Sequence, residues 1–214
     1  MKLLLGTTNI SKFHRYKTIL DRYTNIEVIS LRELNFDTAK QAIEDGRTAQ
    51  ENAHKKAEHY AAITGLPTLS IDEALFIDGL PPEEQPGVHV RRYAGKPVSD
   101  EVLLDIYLEK TRSLSLVGRH AQWVFAVCLA LPSGSASHAQ VEIATVLTDQ
   151  PRLPLLPGYP LSSLLMDPAS GKYVRDLSQQ EQECRLQPLY EGVASLVQTT
   201  LTEQKYFKEA VVSH

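Results

Sequence analysis

Only two cysteines, Cys128 and Cys184, occur in 214 residues, so no disulfide framework holds this chain together. Cys128 lies in an apolar run and reads as a small core residue. So few cysteines fit a reducing, cytoplasmic setting. Long apolar runs are missing too. No stretch reaches the ~20 residues of a membrane-spanning helix, and the apolar residues 3–5 are too few for the core of a signal peptide. Excess positive charge is absent: the net charge is −4, which excludes the basic footprint of a nucleic-acid binder and a polybasic membrane patch. Any anion site must rest on a few placed lysines and arginines. No Gly-x-Gly-x-x-Gly follows the first apolar segment, which argues against a dinucleotide-binding fold. Internal repeats and low-complexity segments are also lacking.

What is present is the material of a packed globule. Hydrophobic residues make up 43% and charged residues 22%, enough apolar surface for a real core, and the length suits one domain of two lobes. Residues 2–6 read as a strand and 9–22 as a helix, with Ile10, Phe13, Tyr16, Ile19, Leu20 and Tyr23 at spacings of three and four. Residues 26–31 read as a second strand, and this β-α-β opening favours parallel pairing. A helix over about 48–64 is opened by Thr48 with Glu51 three residues on and closed by Gly65 and Pro67. Residues 68–71 read as a short strand that delivers Asp72 and Glu73 at its carboxyl end. A helix over 100–111, a hairpin of 122–131 with 140–147, and a helix over about 191–207 follow. Residues 148–161, with Pro151, Pro154, Pro157 and Pro160, read as irregular.

Four clusters carry chemistry. First, an apolar strand runs into Gly6-Thr7-Thr8-Asn9, with Lys12 in the first turn of the following helix. Backbone N–H groups, the positive helix end and a lysine converge there, as a phosphate requires. Second, Asp72 and Glu73, with Glu44 or Asp45 in the preceding turn, supply carboxylates. Phosphate chemistry calls for Mg²⁺, a hard ion held by one or two carboxylates with water and substrate phosphates. A carboxylate there is also a candidate base for an attacking water. Asp45 reads as a surface charge. Third, Lys56, Arg91 and Arg92 are candidate phosphate cations, whereas Lys55 reads as a surface charge. Fourth, Tyr159 on the loop Leu156-Pro-Gly-Tyr-Pro160 is a candidate to stack on a base, with Lys172 nearby in sequence.

These clusters, in this order, resemble the inosine/xanthosine triphosphate pyrophosphatase family. Thr7-Thr8-Asn9-Ile-Ser-Lys12 is similar to the family's Thr-Gly-Asn-x-x-Lys turn. Glu51-Asn52-Ala53-x-x-Lys56-Ala57 is similar to its Glu-Asn-Ala-x-x-Lys-Ala helix. The run from Thr64-Gly-Leu-Pro67 through Asp72-Glu73-Ala74-Leu75 is similar to its Thr-Gly-Leu-Pro…Asp-Asp-Ser-Gly-Leu, and Pro86-Gly-Val88 through Arg92-Tyr-Ala-Gly95 to its Pro-Gly-Val-x-x-x-Arg-Tyr-Ala-Gly. The resemblance is strong over residues 3–132; residues 133–214 diverge.

The resemblance implies a single α/β domain over 1–214, elongated and two-lobed, with a mixed sheet and a central cleft. It implies Mg²⁺ dependence, a nucleoside triphosphate substrate and a homodimer. Asp72 would be the metal-binding general base and Glu44 the second metal ligand. Thr7, Thr8, Asn9, Lys12 and Lys56 would hold the triphosphate. Glu73 stands where the family has a phosphate-side Ser or Thr. The family's Phe-Gly-Tyr-Asp becomes Pro157-Gly158-Tyr159-Pro160. Its later Lys falls on Gln182, and its Ser-His-Arg on Leu186-Gln187-Pro188. A site that reads a purine through buried hydrogen bonds loses discrimination when those groups go. Two readings follow: a pyrophosphatase that hydrolyses nucleoside triphosphates to the monophosphate and pyrophosphate with altered base preference, or a catalytically impaired relative that binds nucleotide or a protein.

Overall fold

A computed structural model describes the backbone of residues 1–93 and 96–212, with side chains described except at 38, 92–93, 96–97 and 203–212. Strand β1 (Lys2–Leu5) leads to helix α1 (Ile10–Tyr23), then β2 (Glu27–Ser30), helix α2 (Ala49–Thr64) and β3 (Thr68–Ile77). A short ribbon of β4 (Arg92–Tyr93) and β5 (Lys96–Pro97) precedes α3 (Asp100–Ser113). Then come β6 (His120–Ala130), β7 (Ala136–Leu147), β8 (Leu165–Met166) and α4 (Gln179–Val212). Six strands form one sheet in the order β2-β1-β3-β6-β7-β8. β1 pairs in parallel with β2 and with β3, whereas β7 and β8 pair antiparallel, so the sheet is mixed, as expected. Among the described residues no helix is long and apolar enough to cross a membrane.

The chain divides into two compact units. The first holds Met1–Asp72, Phe125–Val141 and the chain from Pro188 onward. Leu3, Leu4 and Leu5 of β1 are fully or almost fully buried there, with Tyr16, Ile19 and Leu20 of α1. Ile10, read as part of the apolar face, is the first residue of the helix and is 45% exposed. In α2 the buried face consists of Ala49, Asn52, Ala53, Lys56, Ala57, Tyr60 and Ala61. Thr48 caps this helix and Gly65 closes it at φ +69, a left-handed conformation that glycine adopts without strain. The second unit holds Glu73–Val124 and Glu142–Gln187, with a core that includes Leu75, Leu103, Tyr107 and Leu164.

β7 begins at Ala136 rather than 140 and β8 has no counterpart in the sequence reading, but β3 and α4 depart furthest from it. β3 runs ten residues, not four, so Asp72 and Glu73 lie within the strand rather than at its end. Ala74, Leu75 and Ile77 beyond them are buried, and that apolar surface keeps the strand extended. Helix α4 begins at Gln179, well before 191, and carries Pro188 inside it. Its start is a capping box: Ser178 Oγ accepts from the Glu181 N–H at 3.3 Å, and Glu181 Oε2 accepts from the Ser178 N–H at 2.8 Å. Pro188 removes one donor from the helical ladder, and the boundary between the two units falls on it.

Gly6 ends β1 with no room for a side chain. A Cβ there would lie 2.4 Å from Ser70 Oγ, 2.9 Å from Tyr60 Cδ2 and 3.0 Å from Thr68 Cγ2. Gly6→Ala is therefore expected to cost about 1–3 kcal/mol through overpacking. Thermal unfolding would read this as a Tm lower by roughly 2–4 °C per kcal/mol; an unchanged Tm would show that the neighbours yield.

Candidate active site

The parallel pairing of β1 with β3 puts the carboxyl ends of both strands on one edge of the sheet. β1 leaves the sheet at Gly6, whose N–H donates to the Leu69 carbonyl at 2.8 Å. β3 runs on past that level to Asp72. The first turn of the chain and the acid of β3 thus come from adjacent strands.

Asp72 is only 7% exposed, and both its oxygens have partners. Lys56 Nζ donates to Oδ1 at 2.8 Å and to the Ile71 carbonyl at 3.3 Å. Asn52 Nδ2 donates to Oδ2 at 3.2 Å. Both partners lie on α2, four residues apart, so they share the face that packs on the sheet. Lys56 Nζ also stands 3.6 Å from Glu44 Oε2. A buried lysine is thereby set between two carboxylates, Asp72 and Glu44.

The loop ahead of α2 is tied down by side chains at three points. Gln41 Nε2 donates to Thr8 Oγ1 at 2.8 Å, the Ala42 N–H to the Tyr60 hydroxyl at 3.3 Å, and the Gly46 N–H to Asn52 Oδ1 at 2.8 Å. Burial pushes the Tyr60 phenol above its usual range, so it remains a neutral hydroxyl. Asp45 pairs with Lys55 at 2.6 Å on the surface, as its reading as a surface charge requires.

The turn Thr7-Thr8-Asn9 precedes α1. Asn9 caps the helix, its Oδ1 accepting from the Lys12 N–H at 3.1 Å, and the Asn9 N–H donates to Thr7 Oγ1 at 3.2 Å. Lys12 is half-buried on the first turn of α1. The structure therefore brings together Asp72, Lys56 and Glu44 directly, and links Thr8 to the same loop through Gln41. Asn52 belongs to the group as well. The sequence shows it only as part of a motif; a polar residue on a helix's buried face, four residues before a buried lysine, is the signal that marks it.

The remaining expected residues belong to the second unit. Arg91 donates through Nη1 to the Gly158 carbonyl at 2.6 Å and through Nη2 to Asp100 Oδ1 at 2.8 Å. Asp100 Oδ2 in turn accepts from the Gly158 N–H at 2.6 Å. These hydrogen bonds, first from Gly158 and then from Arg91, hold the Asp100 carboxyl below its usual range. Arg91 and Asp100 thus grip both backbone groups of Gly158, and Tyr159 beside it is 49% exposed. Lys172 pairs with Glu181 at 2.6 Å and pulls that carboxyl down to about 2. Glu73 is half-buried on β3. The side chain of Arg92 lies outside the described residues.

A mixed α/β chain with a buried carboxylate, lysine and amide at the carboxyl edge of its parallel strands defines a class by fold and by site. The chain belongs to the Ham1 family, whose profile matches residues 3–183. A dITP/XTP pyrophosphatase of Geobacter sulfurreducens is 34% identical over 151 residues, 71% of this chain and 73% of that protein. A dITP/XTP pyrophosphatase of Exiguobacterium sibiricum is 37% identical over 134 residues, covering 63% of this chain and 65% of its own length, just under two thirds. The solved structure of a HAM1 protein from Coxiella burnetii superposes with a TM-score of 0.75 at 27% identity, over 95% of this chain and 99% of that one.

Proposed function

We propose that this protein is a Mg²⁺-dependent nucleoside triphosphate pyrophosphatase with an altered base preference. The observation that carries the reading is Asp72: a buried carboxylate oriented by Lys56 and Asn52, one strand away from a turn suited to phosphate. The activity of the named relatives supports the same reading. In the reaction, water attacks the α-phosphorus and its proton passes to Asp72. The bond from that phosphorus to the bridging oxygen breaks, and pyrophosphate leaves with the oxygen. Thr7, Thr8, Asn9 and Lys12 bind the phosphates from the first turn, and Lys56 adds a fixed positive charge.

The donor set fits a hard divalent cation. Asp72 and Glu44 offer two carboxylates around one ammonium, the kind of oxygen ligand Mg²⁺ prefers. When bound by them, Mg²⁺ supplies charge neutralisation for the phosphates. On this reading Glu73, Arg91, Arg92, Tyr159 and Lys172 serve the nucleotide. Arg91 does so by fixing the loop at Gly158, and Tyr159 by offering its ring to the base. The altered preference follows from Pro157 and Pro160, which replace the family's Phe and Asp. A homodimer, from the family resemblance, and the cytoplasm, from the scarcity of cysteines, complete the reading.

The test is pyrophosphate release from ITP, XTP, dITP, dUTP and the eight standard triphosphates, with and without Mg²⁺. Turnover of at least one of them, lost without the metal, is the expected result. Silence across the panel from a folded protein would overturn the reading in favour of a nucleotide-binding relative without the chemistry.

A further inference from the structure

Three ligand-type side chains from three elements meet in the first unit, apart from the Asp72 group. His54 comes from α2, Cys128 from β6 and His138 from β7. His54 Nδ1 lies 3.7 Å from Cys128 Sγ and 3.1 Å from His138 Nε2. All three ligand atoms fall within 4.8 Å of one another. Around a tetrahedral zinc, bond lengths place neighbouring nitrogens about 3.4 Å apart, and a nitrogen and a sulfur about 3.6 Å apart. The spacings to His54 Nδ1, 3.1 Å from nitrogen and 3.7 Å from sulfur, lie within about 0.3 Å of the edges of such a tetrahedron.

The other side of the His54 ring is also organised. Nε2 lies 3.2 Å from Glu58 Oε2, one helical turn on. A carboxylate there accepts the Nε2 proton and leaves the Nδ1 lone pair aimed at the sulfur and the second imidazole. Outer carboxylates orient metal-bound histidines in this way. Access is graded: Cys128 is fully buried, His54 half-buried and His138 exposed. An ion arriving from solvent meets imidazole first and thiol last. With no cation present, burial pushes the Cys128 thiol up to about 12; a bound cation reverses that preference and deprotonates it.

We propose that His54, Cys128 and His138 form a binding site for one Zn²⁺ per chain, with the fourth position open to water. Borderline-soft Zn²⁺ suits one thiolate and two imidazoles, whereas hard Mg²⁺ does not. The ion ties α2 to the β6–β7 hairpin. Since α2 also presents Asn52 and Lys56 to Asp72, the site braces that helix from behind.

The test uses the full-length chain, freed of metal by a chelator and titrated with Co²⁺ as a spectroscopic stand-in. One equivalent is expected to raise a near-ultraviolet thiolate-to-cobalt band. One equivalent of Zn²⁺ should remove it, and excess Mg²⁺ should not. Cys128→Ser and His138→Ala should each lose the band, while Cys184→Ser keeps it. His138 is exposed, so its variant folds even if the buried Cys128 position tolerates no change. Zn²⁺ should raise the Tm of the parent chain and not that of His138→Ala. No thiolate band at equimolar Co²⁺ would overturn the proposal. So would a band that Mg²⁺ displaces, or one that survives His138→Ala.

Discussion

Asp72→Asn is expected to lower pyrophosphate release by about 10²–10⁴-fold, the usual contribution of a positioned general base, while leaving a folded chain. Asn keeps the shape of Asp and the acceptor that faces Lys56 Nζ, 2.8 Å away in the parent. It loses the charge and the capacity to take a proton. On the other side, the amide of Asn52 meets a second amide instead of a carboxylate, and one hydrogen bond is lost or reversed. That costs about 1–3 kcal/mol, short of the 5–15 kcal/mol that holds a typical domain together. Lys56 keeps the Ile71 carbonyl and Glu44 as neighbours, so its ammonium is not stranded. Circular dichroism and thermal unfolding report the fold, and a coupled pyrophosphate assay reports the chemistry. Parent-level turnover in a folded Asp72→Asn variant would sink the mechanism.

Lys56→Met is expected to have the larger effect on stability. Methionine replaces the aliphatic stem but not the ammonium of a residue that is 6% exposed and touches three acceptors. Asp72 is then a buried carboxylate with only an amide for a partner, near a second carboxylate and with no cation between them. Removing one member of a buried pair costs about 3–5 kcal/mol, a Tm drop of roughly 10 °C for a chain of this size. Activity falls with it, since the phosphates lose a fixed charge. The variant also makes a distinctive prediction. Two carboxylates without their lysine attract a divalent cation more strongly, so added Mg²⁺ should recover more Tm in Lys56→Met than in the parent. A variant as stable as the parent, and no more responsive to Mg²⁺, would show that Lys56 is not the counter-ion of Asp72.

Sequence signals are legible wherever the physics is local. Thr48, Glu51 and Gly65 announce α2 at both ends, and the helix has those bounds. The capping box at Ser178 and Glu181 is equally local, and passing over it places the start of α4 too late. β3 reads as too short because Asp72 and Glu73 look like a strand's polar end. What keeps them inside the strand is tertiary: Lys56 and Asn52, sixteen and twenty residues earlier, neutralise Asp72 where periodicity sees only an interruption. Arg91 reads as a phosphate cation from its type alone, and its grip on Gly158, 67 residues on, has no sequence signature. The same holds for His54, Cys128 and His138, which meet only because α2 lies against the hairpin.

The orientation of Asn52 has a practical corollary. Its oxygen accepts from the Gly46 N–H and its nitrogen donates to Asp72, so the amide is polarised from both ends, and reversing it breaks both bonds. Whatever draws the carboxylate of Asp72 away weakens the hold on Gly46 as well. The backbone proton of Gly46 is thus a native spectroscopic sentinel. Its chemical shift and exchange rate in a ¹⁵N-labelled sample should track occupancy of the carboxylate without any label placed in the site.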